Sequence, residues 1–278
     1  MSEITVPEVR CILPGIAALS VIPLLLAALH FFLSPSVVDQ LVFHFHDPSI
    51  LTAWTSAFVH ADVPHLRSNI LGYALAIVPT YFLYVSWGRS RAFWTTVVAL
   101  LLVTPFVTTG IDYTLLHLHW GLTGPGAISR GFSGIASAFG GMLLATIGVF
   151  LEDEYNKMTA WNATMLVVLF SLTILSLTNG AFSPTVGGLL AIGVVLLGTQ
   201  FLSREEITNP RQLWARLRDH WQNLITVTYC GVVVALIIVA IFPADLVQGG
   251  AFVNIFAHGT GFLVGVFATL LVSGSPVQ

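Results

Sequence analysis

Uncharged apolar runs recur along the chain, each closed by charge, proline or glycine. A hydrocarbon core of about 30 Å is crossed by about 20 apolar residues in a helix. By that measure the pattern predicts eight transmembrane helices, at 12–33, 66–87, 92–111, 133–151, 160–178, 184–203, 222–243 and 253–273. The first is read as a retained helix rather than a signal peptide, because it is long for a signal core and lacks a small-residue cleavage site.

Two connecting segments carry their own pattern. Residues 34–65, with Phe43, His44, Phe45, His46 and Trp54, are too apolar for a free linker and read as an outer loop partly embedded in the membrane. Residues 204–221 place Leu213, Trp214, Leu217 and Trp221 at helical spacing among arginines, the pattern of an amphipathic helix on the inner membrane surface. No internal repeat, low-complexity tract or separate soluble domain is evident, so the chain reads as a single all-α transmembrane domain over 1–278.

Composition agrees with this reading. Of 278 residues 56% are hydrophobic and 8% charged, against roughly 25% charged in soluble domains, and mean hydropathy is +0.88. A soluble globule is excluded, and the bilayer is the first partner. Among the ten cations, Arg10, Arg89, Arg91, Lys157, Arg204, Arg211, Arg216 and Arg218 fall on one side of the predicted topology, and Arg67 and Arg130 on the other. Cytoplasmic loops hold the excess of Lys and Arg, so both termini are expected in the cytoplasm of a multi-pass cell-membrane protein. A net charge of −3 gives nucleic acid no electrostatic footing. Cys11 and Cys230 have neither ligand nor disulfide spacing.

Polar side chains at membrane depth are costly and point to function. Three groups stand out. His60, His65 and Asn69 open the second helix, with His65 and Asn69 four residues apart on one face. Gly131 to Gly134, GFSG, opens the fourth. Ala257 to Gly265, AHGTGFLVG, lies early in the last, with Gly261 and Gly265 on the face of His258. An odd number of predicted spans separates Ser133 from His258, so their helices run the same way and their N-terminal ends lie at similar depth. Small residues on both faces (Gly134, Ser137, Ala138, Gly140 and Gly141 on the fourth) allow close approach.

That pattern outlines a chemistry. A neutral histidine can take the proton of a serine hydroxyl, and a helix start stabilises negative charge. Asn69 and His65 supply donors for an oxyanion. Asp112 and Asp245 are read as solvated in outer loops, leaving no intramembrane carboxylate to orient His258 and hence a Ser–His dyad. His44, His46 and Asp47, or His117 and His119, lack a third committed metal ligand. Neither His-Glu-x-x-His nor Gly-x-Gly-Asp occurs, so zinc and aspartyl intramembrane proteases are disfavoured.

With these motifs in this order, the chain resembles the rhomboid intramembrane serine proteases: His65 to Asn69 matches His-x-x-x-Asn, Gly131 to Gly134 matches Gly-x-Ser-Gly, and Ala257 to Gly265 matches Ala-His-x-x-Gly-x-x-x-Gly. His60 is similar to a histidine the family often carries before that helix. The resemblance spans about 51–270 and is poor over 155–245. It implies an endopeptidase that cuts transmembrane protein substrates, with Ser133 as nucleophile and His258 as base. It further implies an oxyanion hole of Asn69, His65 and the Ser133 amide, no metal or organic cofactor, and a mobile cap near 244–252 with Gly249 and Gly250. The family core has six helices, so two of the three predicted between Ser133 and His258 are additional. The family's Trp-Arg pair falls at Leu51 and Thr52, and Ser137 stands where some members carry an aromatic residue. A catalytically silent client-binding relative and a small-solute transporter are the alternatives; the chain shows neither the repeated halves nor the paired broken helices expected of the latter.

Overall fold

Each apolar run is long enough to satisfy its own backbone as a helix, the arrangement a bilayer demands. The computed structural model describes residues 9–180, 183–204, 214, 218–219, 221–243, 247–248 and 251–273. Its helices are α1 (Val9–Phe32), α2 (Pro35–Leu41), α3 (Ile50–Thr55), α4 (Val63–Ser86), α5 (Ser90–Asp112), α6 (Ser133–Glu154), α7 (Lys157–Thr178), α8 (Pro184–Arg204), α9 (Trp221–Ile241) and α10 (Ile255–Ser273). Among the described residues seven helices are long and apolar enough to cross a membrane, and Pro184–Thr199 of α8 is a shorter apolar stretch. This is the build of a polytopic, all-α membrane protein.

The predicted spans correspond to α1, α4, α5, α6, α7, α8, α9 and α10, with ends within a few residues. One end differs in kind. Beyond Asp112 the chain continues without a break as a π-helical turn, Tyr113–His119, so the third span runs past its predicted limit. The segment 34–65, expected as an outer loop, is structured: α2, α3 and a 3-10 turn at Ser56–Phe58 flank β1 (Phe43–His44), which pairs antiparallel with β2 (Ile128–Ser129). The amphipathic segment expected at 204–221 lies almost wholly outside the described residues. So do Gly249 and Gly250 of the expected cap, whose flanks β3 (Val247–Gln248) and β4 (Ala251–Phe252) pair antiparallel.

Two compact units make up the chain. Residues 7–142 with 246–278 form one, containing α1 to α5, the start of α6, and α10. Its centre is aromatic: Tyr73 meets Phe139 and Phe132 edge-on at 5.2 and 6.0 Å between centroids. The Tyr73 hydroxyl donates to the Leu19 carbonyl at 3.0 Å, which satisfies a phenol that would otherwise be buried unpaired and ties α4 to α1. The other unit, residues 143–245, packs α7 against α8 and α9. There Asn156 caps α7 by accepting from the amides of Met158 and Thr159, and Gly231 of α9 lets Val167 approach. Every residue of the three sequence motifs belongs to the first unit.

Candidate active site

The serine motif is built as a strained turn entering a helix. The β1–β2 pairing (Phe43 with Ser129, His44 with Ile128) holds the strand leading into it. Gly131 N–H then donates to the Ser56 carbonyl at 2.9 Å, and Phe132 N–H to Nε2 of His60 at 3.5 Å. Gly131 has φ +125°, a conformation that side chains oppose. A Cβ there would lie 2.6 Å from Cε1 and 2.8 Å from Nε2 of His65, and 3.7 Å from Nδ2 of Asn69. The backbone two residues before Ser133 therefore lies directly on His65 and Asn69. Ser133 is the first residue of α6, where helix N–H groups lack intrahelical acceptors.

Asp62 and Pro64 set the start of α4. The Asp62 side chain accepts from the His65 amide at 2.7 Å as N-cap, and Pro64 sits in the first turn where its missing N–H costs nothing. His65 and Asn69 follow one helical turn apart, both beneath Gly131. Asn69 is 6% exposed, and its Nδ2 has no hydrogen-bond partner among the described residues. A buried amide donor left open is unusual in a folded chain; here it lies beneath the serine turn.

His60, 4% exposed, meets the His65 ring edge-on at 5.3 Å between centroids. Burial, reinforced by the neighbouring His65, lowers its pKa from 6.5 to about 3, so the ring is neutral at pH 7. Acceptance from Phe132 N–H at Nε2 then puts the proton on Nδ1.

The histidine motif meets the serine helix through glycine. A Cβ added at Gly261 would overlap the Gly134 carbonyl, one at Gly265 the Ala138 carbonyl, and one at Gly141 the Phe262 carbonyl. Backbone touches backbone along this seam. The first two pairs advance by four residues on both helices, so α6 and α10 run parallel. Ser133 stands one residue before Gly134 and His258 three before Gly261. At 1.5 Å rise per residue the two lie within about 3 Å of the same level at the N-terminal rim. His258 shares the face of Gly261 and Gly265, the face applied to α6, and is 8% exposed. Ser137 is buried and turns its Oγ back to the Ser133 carbonyl at 2.8 Å.

One expectation is corrected. Asp112 is not a solvated loop carboxylate: α5 continues through it, and it is 1% exposed. Its Oδ2 accepts from Nδ2 of Asn254 at 2.5 Å, while its Oδ1 has no partner among the described residues. The inference that no intramembrane carboxylate stands near the histidine helix therefore falls. Thr104 and Thr108 precede Asp112 at intervals of four and are buried as well, a helical polar stripe that the sequence displays but that loop assignment conceals.

Other residues lie apart from this arrangement. Leu51 and Thr52 belong to α3, with Leu51 well exposed. His44 contacts Asp39, and His46 meets His117 edge-on at 4.8 Å between centroids. Among the described residues no group of three or more His, Cys, Asp or Glu side chains is placed to hold a metal. Compared with protein-family models, curated proteins and solved structures, the chain matches none.

Proposed function

We propose that the chain is a rhomboid-type intramembrane serine endopeptidase that cleaves other proteins within or beside their transmembrane helices. The observation that carries this reading is the parallel, glycine-mediated contact of α6 and α10, which brings the N-terminal rims bearing Ser133 and His258 to one level. Neutral His258 accepts the Ser133 proton as Oγ attacks the scissile carbonyl; the imidazolium then protonates the leaving amine, and water releases the acyl group by the reverse roles. The Ser133 N–H at the helix start, the open Nδ2 of Asn69 and the ring of His65 receive the oxyanion. The Asn69 donor is suited to that role because it has no partner to surrender when charge develops.

In this reading α1, α4, α5, α6 and α10 belong to a six-helix core, and two of α7, α8 and α9 are additional. The excess of cations at the inner ends of the spans supports cytoplasmic termini in a cell membrane. The reaction needs no cofactor. Purified protein in bilayers is expected to cleave a single-span reporter substrate, and Ser133→Ala to abolish the cleavage. Undiminished cleavage by that variant rejects the assignment; flux of a small solute insensitive to Ser133→Ala would instead favour a transporter.

A further inference from the structure

The pair formed by buried Asp112 and half-buried Asn254 has no part in the chemistry above, yet it sits at the start of the histidine helix. Asn254 immediately precedes α10. Its carbonyl accepts from His258 N–H at 3.2 Å, the bond that closes the first turn. Its side-chain Oδ1 accepts from Ala257 N–H at 3.1 Å, capping that turn. The cap works in one amide orientation only. Nδ2 must point away from the helix, and there Oδ2 of Asp112 receives it. Asp112 thus selects the orientation that lets Asn254 close the turn carrying His258.

The same face of α5 also reaches the serine helix. One turn before Asp112, the Thr108 side chain lies against Gly134, where an added Cβ would come within 3.2 Å of Thr108 Cγ2. Thr108 and Asp112 therefore brace the starts of α6 and α10 from one helix. Upstream of α10, β4 ends at Phe252, so only Val253 and Asn254 connect that strand to the helix of His258.

We propose that Asp112, acting through Asn254, is a positioning residue for His258. It holds the first turn of α10 in register with the start of α6. This rests on the protease reading. A displacement on the order of 1 Å at a reacting group costs about 10²-fold in rate, and that is the loss expected when the anchor is removed.

The test uses the full chain in lipid nanodiscs, reading the rate at which a fluorophosphonate acylates Ser133 together with amide hydrogen exchange over residues 255–260. Asp112→Ala is expected to slow acylation about 10²-fold and to speed exchange in that turn. In substrate cleavage kcat falls and KM changes little. Asp112→Asn, which keeps an acceptor of the same shape, recovers most of the rate. Asn254→Ser keeps a capping oxygen but removes the donor to Asp112. It is expected to match Asp112→Ala, with the double variant no slower than either, and it serves where Asp112→Ala fails to fold. Wild-type acylation and exchange in Asp112→Ala, or losses that multiply in the double variant, overturn the proposal. A wild type that is not acylated at Ser133 sinks the protease reading instead, while the exchange arm still reports whether Asp112 fixes the turn.

Discussion

Gly131→Ala perturbs the serine turn at a single atom. The new Cβ would lie 2.6 Å from Cε1 of His65, about 0.8 Å short of ordinary van der Waals contact. His65 leans on a capped helix turn and the Gly131 amide is bonded to Ser56, so the shift is shared between the His65 ring and the backbone leading to Ser133. The positive φ adds strain of about 1–3 kcal/mol. Displacement approaching 1 Å at the reacting groups lowers rate by about 10²-fold. Gly126→Ala separates these effects, because Gly126 also has positive φ, +78°, but meets nothing within 4 Å. It is expected to lose about 1 kcal/mol of stability through strain alone and to keep its acylation rate. Thermal unfolding and fluorophosphonate acylation of both variants in nanodiscs supply the comparison. Equal acylation rates in the two would refute the claim that Gly131 is glycine because His65 and Asn69 lie beneath it.

Asn69→Ala is expected to lower kcat by about 10²- to 10³-fold with little change in thermal stability, since Nδ2 has no partner to lose; a large fall in melting temperature with unchanged kcat would mark Asn69 as structural. Gly261→Val forces a branched side chain into the Gly134 carbonyl, and both cleavage and helix association, read by thermal unfolding, should be lost together. His60 has a folded pKa near 3 against 6.5 unfolded. Its buried neutral ring therefore contributes stability in full above about pH 6.5, which is lost as pH falls toward 3. The contribution at pH 5 is about 2 kcal/mol below that at pH 7. His60→Gln, which does not titrate, should lack this component of the pH dependence, and parallel curves for the two proteins would contradict the assignment.

Most of the helical layout was legible because membrane spans must be continuous, uncharged and of fixed length. The runs at 133–151 and 253–273 reappear as α6 and α10 with little change. The seam between them was legible as well, since Gly261 and Gly265 recur on the face of His258. Sequence alone misplaces Asp112 for a physical reason. A carboxylate at the end of an apolar run reads as the point where a helix leaves the membrane, and in the π-helical turn that carries the chain onward Leu115, Leu116 and Leu118 are interrupted by His117 and His119. The matching amide of Asn254 lies far away in sequence, so a single chain offers no hint of their pairing. The pairing of Phe43–His44 with Ile128–Ser129 was hidden likewise, each partner being too short to alternate visibly.

Acylation of the intact protein by a fluorophosphonate, followed by mass spectrometric localisation of the adduct in wild type and His258→Ala, tests the pairing of nucleophile and base most directly. The adduct should fall on Ser133 in the wild type and be lost, or slowed by several orders of magnitude, in the variant. An adduct on another residue, or one that forms on Ser133 as fast without His258, would contradict it.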